Sequence, residues 1–208
     1  MALVTGPLMS LDASGTVGDT LTFSKWKGRN YVRNRVIPAN PKSASQTGVR
    51  AMMSFLAATW HLLATGPKAT YATAAAAKSI SPFNQFVSEH LTRWQNFTAP
   101  SQASPATEAS TGLTVTTQTL TGGVGHVTLS LTPSGATSIW GYLIFREAAA
   151  ITVPSWANCV AVIAANAGNA VTHVDSPLAI GTYHYRTAVF NVDGKLGTVH
   201  ADDAAVVT

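Results

Sequence analysis

Seven cations, Lys25, Lys27, Arg29, Arg33, Arg35, Lys42 and Arg50, fall within 26 residues that contain no carboxylate and interleave Trp26 and Tyr31. Two chemistries use that combination. Against nucleic acid, Lys and Arg neutralise phosphates while aromatic rings stack on bases. Against a protein, Arg and aromatic side chains supply the anchors that carry an interface, here toward an acidic neighbour. A third reading is a solvated strand face covering the elements below it. The Pro-containing exit, Pro38 and Pro41, and the extended stretch before the cluster favour the protein reading, since arms of this kind reach over neighbouring subunits. The contact set predicted on this basis is Lys25, Trp26, Lys27, Arg29, Tyr31, Arg33, Arg35 and Arg50.

Catalytic and metal chemistry finds little to use. The six histidines, His61, His90, His126, His173, His184 and His200, form no HExxH pair and no closely spaced cluster with carboxylates. His173 and Asp175 lie two apart on one strand face, a spacing more typical of a polar couple beside a turn than of a ligand pair. Glu147 stands alone, and Asp202-Asp203 sits near the end of the chain. The one cysteine, Cys159, has no base near it in sequence and reads as a buried thiol. Gly122-Gly-Val-Gly125 lacks a following helix and reads as a hairpin turn, not a phosphate loop. The expectation is a protein without catalytic activity, cofactor or metal.

Composition suits close packing in an extracellular or particle-bound protein. Charged residues are 11% of the 208-residue chain, against roughly 25% in typical globular proteins. Thr, Ser, Ala and Gly replace them, which suits close packing against other chains. The formal charge of +4 is uneven. Residues 1–97 hold ten Lys and Arg against Asp12, Asp19 and Glu89; residues 98–208 hold three, Arg146, Arg186 and Lys195, against six acids. The basic half therefore expects an acidic partner. The opening residues show neither a basic n-region nor a long apolar run, and no segment has 18 consecutive apolar residues, so the expectation is a soluble protein made in the cytoplasm.

The elements that must position the basic cluster follow from the pattern. Residues 20–26 and 30–37 read as a β-hairpin, with Gly28 supplying a positive φ in the turn. A hairpin alone is marginal in water, so it must lie on something. A helix is predicted from Ser43 or Ser45, with Val49, Met52, Met53, Leu56, Trp60 and Leu63 as its apolar stripe and Gly66-Pro67 as its stop. A second helix spans 81–95 with Pro82 in its first turn and Phe83, Phe86, Val87, His90, Leu91 and Trp94 on one face. Residues 67–80 are ambiguous. The segment 98–110, small, polar and carrying two prolines, reads as a linker. The expected organisation is thus an α+β docking domain, 1–97 (hairpin plus two amphipathic helices), a linker, 98–110, and an all-β domain, 111–208.

Seven β-prone runs at about 112–120, 125–132, 138–146, 158–164, 170–175, 182–191 and 197–207 suggest an immunoglobulin-like or fibronectin type III-like sandwich. Trp140 falls on its third strand, where such folds bury an aromatic. The run Gly181-Thr-Tyr-His-Tyr-Arg-Thr-Ala-Val-Phe-Asn-Val-Asp-Gly194 resembles the penultimate strand of a fibronectin type III domain. That resemblance implies a corner-closing tyrosine, Tyr183 or Tyr185, and a hairpin turn at Asn191-Val-Asp-Gly194.

The N-terminal half carries a second resemblance. Ser14-Gly-Thr-Val-Gly-Asp19, Trp26-Lys-Gly-Arg-Asn-Tyr-Val-Arg33, Pro38-x-x-Pro41, and Ser45-Gln46 with Arg50 form a series similar to a largely uncharacterised family encoded by tailed bacteriophages and prophage-like regions. The match covers roughly residues 14–60 and implies a virion structural role. The expected partners are other virion proteins (capsid, portal or tail subunits), with multiple copies per particle and no membrane. Capsid decoration and a connector, collar or tail component are both open placements. Two rivals stand beside it. One is a secreted or surface module binding glycan or receptor, with Trp156 as its exposed aromatic; the other is a DNA-contacting protein inside the virion.

Overall fold

A computed structural model describes residues 3–4, 13–18, 20–27, 29–37, 39–40, 42–108, 113–134, 138–166 and 169–208. The chain forms a mixed α+β fold of two compact units, 1–41 and 42–208. The first unit is a four-stranded antiparallel sheet: β1 Leu3–Val4, β2 Ala13–Val17, β3 Leu21–Trp26 and β4 Arg29–Asn34, in that order. The predicted hairpin is β3–β4; Lys27 takes φ +47° in its turn, and Gly28 lies outside the described residues.

The second unit begins with three helices, α1 Ala44–Trp60, α2 Thr65–Ala76 and α3 Pro82–Gln95. Ser43 caps α1, its hydroxyl accepting the Gln46 N–H at 3.4 Å, and Ser81 caps α3, accepting the Asn84 N–H at 3.1 Å. Pro82 opens α3, where its missing N–H has no intrahelical partner to lose. The same rule corrects the reading of Gly66-Pro67. Pro67 sits in the first turn of α2, so it starts a helix where a stop was expected, and the alanine-rich run that follows has the highest helix propensity available.

The strands then alternate between two antiparallel sheets. One is β5 Val115–Gly123, β6 His126–Pro133 and β9 Val171–Asp175, in the order β5-β6-β9. The other is β7 Ile139–Glu147, β8 Cys159–Ala164, β10 Gly181–Asn191 and β11 Asp203–Val207, in the order β11-β10-β7-β8. Val124-Gly125 turns β5 into β6, with Gly125 at φ +69°. The last strand starts later than expected. Residues 197–200 keep backbone bonds to β10 (Gly197 N–H to Val189 O, His200 N–H to Thr187 O), and regular pairing resumes at Asp203.

The four-stranded sheet of this unit is buried on both faces. Tyr142, Ile144, Tyr185 and Val189 meet Val127, Leu129 and Leu131 of the opposing sheet in one core. On the other side Leu143, Phe145, Ala188 and Phe190 meet Met52, Phe55, Leu56, Phe86 and Trp94 of the helices in a second. A β-bulge sets the junction: between Ile139 and Gly141 the register with β10 shifts by one, and Trp140 is the extra residue. Trp140 joins the helical core, with Phe55 at 5.1 Å and Phe190 at 5.9 Å between ring centroids, so the aromatic expected on the third strand is buried on the helical side. Phe55 also reaches Phe190 at 5.5 Å.

The division expected at 98–110 is displaced for the same reason. The helices and the strands from 113 onward share a core, and the boundary falls between 41 and 42. Residues 98–108 are anchored: Ala99 and Ser101 are buried, the Gln102 N–H donates to Val192 O at 2.7 Å, and the Glu108 N–H donates to Asp193 O at 3.1 Å. Arg93 of α3 ties both sides, donating to Ala99 O and Gly194 O and pairing with Glu108 at 2.8 Å. Small polar residues here serve close docking on the turn after β10 and do not form a tether.

A close seam between α1 and the turn that leads into β8 runs through Gly48. A Cβ built there would stand 1.9 Å from the carbonyl oxygen of Trp156, in the short turn Trp156–Asn158 that leads into β8. Backbone meets backbone, so no side chain can yield. Gly48→Ala is expected to cost about 3 kcal/mol, lowering the melting temperature by about 6–12 °C; differential scanning calorimetry against the parent chain checks it.

Candidate docking interface

The register of the first sheet sorts the predicted contact residues. Thr22 opposes Arg33, Ser24 opposes Tyr31, and Trp26 opposes Arg29. Directly opposed residues share a face, so Trp26, Arg29, Tyr31 and Arg33 lie together with Thr22 and Ser24. Trp26 is 64% exposed and Tyr31 38%. Trp26, Arg29, Asn30 and Tyr31 line a shallow concavity. Lys27, in the turn, holds its ammonium 5.0 Å from the Trp26 ring centroid, a cation–π geometry that keeps the indole and the charge side by side.

The other predicted residues fall elsewhere. Lys25 opposes Asn30 on the reverse face, with Leu21, Phe23 and Val32. Arg35 lies past the end of β4, its N–H bonded to Thr20 O at 2.7 Å. Arg50 belongs to α1 in the second unit, where it lines a hollow of about 340 Å³ with Ser45, Gln46, Val49 and Trp156. The structure thus groups four of the eight on one sheet face. Among the exposed aliphatic side chains, Val32 at 53% lies on the reverse face of β4, and Val36 at 73% and Ile37 at 77% follow its end; none was singled out from the sequence.

Several of the ionisable groups weighed in the sequence take partners within the fold. Asp175 accepts both of its short bonds from Arg146 Nη1 at 2.7 Å and a third from the Tyr185 hydroxyl at 2.9 Å. The Arg146 guanidinium also lies over the Tyr183 ring at 5.6 Å. This clamp joins β9 to β7 and β10. Burial lowers the pKa of His173. The Cys159 thiol, pushed up to about 12 by burial, donates to Ala161 O. His184 Nδ1 meets Asp202 at 2.7 Å, while the other Asp202 oxygen accepts the Ile151 N–H. No group of three His, Cys, Asp or Glu side chains suited to a metal occurs among the described residues, and no described helix is long and apolar enough to cross a membrane. Trp156 is half-buried and packs against the helical core.

No family model and no curated protein matches the chain. Among solved structures it is similar to a β-1,2-glucanase from Parabacteroides distasonis, at 17% identity and a TM-score of 0.38. That likeness covers 48% of this chain and 14% of the glucanase, and at this level it carries no argument about activity.

One buried group gives a pH signature. His90 of α3 is fully buried; Tyr71 donates its hydroxyl to Ser101 O, so His90 Nε2 donates to the Tyr71 oxygen, both at 2.9 Å. Nδ1 has no hydrogen-bond partner, and burial, with help from Arg93, drives the pKa down from 6.5 to about 3. The folded state therefore keeps His90 neutral, while the unfolded chain takes up a proton below 6.5. Its contribution is intact above pH 6.5 and is lost as pH falls toward 3, with a limiting slope of about 1.4 kcal/mol per pH unit. Urea denaturation between pH 7 and 4 should show that slope in the parent chain and a shallower one in His90→Leu.

Proposed function

We propose that the chain is a structural accessory protein of a tailed-phage particle, docked through its N-terminal sheet and displaying the larger unit. The observation that carries the reading is the sheet face with Trp26, Arg29, Tyr31 and Arg33, exposed, basic and aromatic, on a unit that adds no described residue to either hydrophobic core. A small sheet whose described residues form no buried core gains stability when a partner covers it. Guanidinium groups beside an indole and a phenol fit an acidic protein surface, where Arg pairs carboxylates through two donors and the rings are buried. Copies repeated over a particle turn a weak single contact into a strong collective one.

We read the larger unit as a fibronectin type III-like sandwich. In immunoglobulin-type nomenclature β5, β6 and β9 take the places of strands A, B and E, while β7, β10 and β11 take those of C, F and G. Tyr183, near the start of β10, donates its hydroxyl to Ala179 O at 3.2 Å, the corner contact such domains use. Tyr185 instead spends its hydroxyl on Asp175. The helices are an addition that covers the C-F-G sheet.

Mass spectrometry of particles released by the host strain tests the assignment. The chain is expected in washed particles, a version lacking residues 1–41 is expected to be absent from them while remaining folded, and Arg29→Glu with Arg33→Glu should reduce incorporation about 10- to 100-fold. Absence of the intact chain from particles overturns the virion reading. Binding of the chain to duplex or single-stranded DNA, abolished between 50 and 200 mM salt, supports the DNA-contacting rival instead.

A further inference from the structure

The ladder between β3 and β4 fixes which way each backbone group of β4 points. Arg35 donates its N–H to Thr20 O at 2.7 Å, so Thr20 and Arg35 are a hydrogen-bonded pair. Bonded and non-bonded pairs alternate along an antiparallel ladder. Counting back along the register, Arg33 with Thr22, Tyr31 with Ser24 and Arg29 with Trp26 are bonded pairs, whereas Asn34 with Leu21 and Val32 with Phe23 are not. The N–H and C=O groups of Val32 and Asn34 therefore point away from β3. β4 is the last strand in the order β1-β2-β3-β4, all six of its residues are exposed, and no described strand lies beyond it. We propose that the partner docks by strand addition: an extended, carboxylate-bearing segment of an acidic protein pairs antiparallel with β4 and continues the sheet. This rests on the docking reading above and specifies how that contact is made.

Main-chain groups choose the shape of the occupant, and side chains choose its charge. Outward N–H and C=O groups on an edge strand are met in full only by another extended backbone, whose hydrogen bonds give affinity that does not depend on a broad buried face. A strand laid along β4 sets one residue opposite each of Arg29, Tyr31 and Arg33 on their shared face. Carboxylates opposite the two arginines form favourable cross-strand pairs, and cations there form unfavourable ones. A second copy's β4 brings the same cations, so this edge discourages self-pairing. The segment that fits therefore carries acidic residues four apart, with a ring between them beside Tyr31 and an aliphatic residue beside Val32. The hollow lined by Trp26, Arg29, Asn30 and Tyr31 includes Asn30 of the reverse face, so it opens onto the β4 margin where this segment lies.

Calorimetric titration of the full chain with the acetylated, amidated peptide TEVYTET tests this. Antiparallel pairing sets its glutamates opposite Arg33 and Arg29, its valine opposite Val32 and its tyrosine opposite Tyr31. Binding is expected, and N-methylating the valine, whose N–H faces Val32, should weaken it about tenfold through loss of a main-chain bond. N-methylating the tyrosine, whose N–H faces away from β4, should leave it nearly unchanged. Amide exchange followed by NMR should slow at Val32 and Asn34 on binding and stay as it was at Tyr31 and Arg33, which are already bonded to β3. No binding at about 1 mM peptide overturns the proposal. So does equal weakening by the two methyl groups, or equally tight binding of the charge-reversed peptide TKVYTKT. The virion reading fails separately. If the peptide does not bind but Arg29→Glu with Arg33→Glu still removes the chain from particles, docking stands and strand addition is wrong. If the peptide binds by these criteria and the intact chain is absent from particles, strand addition stands and the virion reading is wrong.

Discussion

The larger unit depends on one requirement: the sheet β11-β10-β7-β8 is apolar on both faces and must be covered twice. Along β7 the side chains from Ile139 to Phe145 are all buried, and along β10 the same holds from Thr187 to Asn191. A strand open to water on one side reads as alternating apolar and polar residues; these read as continuous runs because neither side is open. The opposing sheet satisfies one face. The helices satisfy the other, and the Phe55–Trp140–Phe190 triangle of edge-on rings is where they engage. The bulge at Trp140 follows from the same need, turning a large aromatic toward the layer with room for it.

The two units divide labour by what they leave uncovered. In the larger unit ionisable groups close gaps between layers: Arg146 and Asp175 tie β7 to β9, and Arg93 ties α3 to the turn after β10. In the smaller one, Trp26, Arg29, Tyr31 and Arg33 stand on the surface of a sheet none of whose described residues belongs to either core.

Much of this was legible in the sequence. Serine before a helical stripe marked both capped helix starts, and turn-forming residues between β-prone runs marked six strands of the larger unit to within about three residues and the last one less closely. The hairpin's alternation put Tyr31, Arg33 and Arg35 on one face; Tyr31 and Arg33 share it, while Arg35 lies past the end of β4. What escaped detection depended on contacts between elements distant in sequence. The apolar arc of α1 is wide enough that a stripe through Leu56 and Trp60 and one through Met52 and Phe55 are equally periodic; only the sheet decides that Phe55 is the residue in contact. Pro67 carries the same local signal at the end of one helix as in the first turn of the next. The segment 98–108 has a tether's composition, and nothing local says that Val192 and Asp193 await its amides. Sorting Lys25, Arg35 and Arg50 away from the basic face required the register and the division of the chain, which spacing alone does not supply.

The Gly48 seam also governs how the molecule responds to mechanical load. Tension applied through the first unit enters the second by the covalent chain at α1, the first element after it. The helix axis is held laterally by Gly48 seated on the Trp156 carbonyl and by the Trp94 indole, which donates to Gly48 O at 3.2 Å. Extracting α1 lengthwise must shear these contacts and the Phe55 packing together, because they lie along one rod and cannot open one after another like a zipper. A pull on α1 is thus spread over the helix–sheet junction that Gly48, Trp94 and Phe55 form.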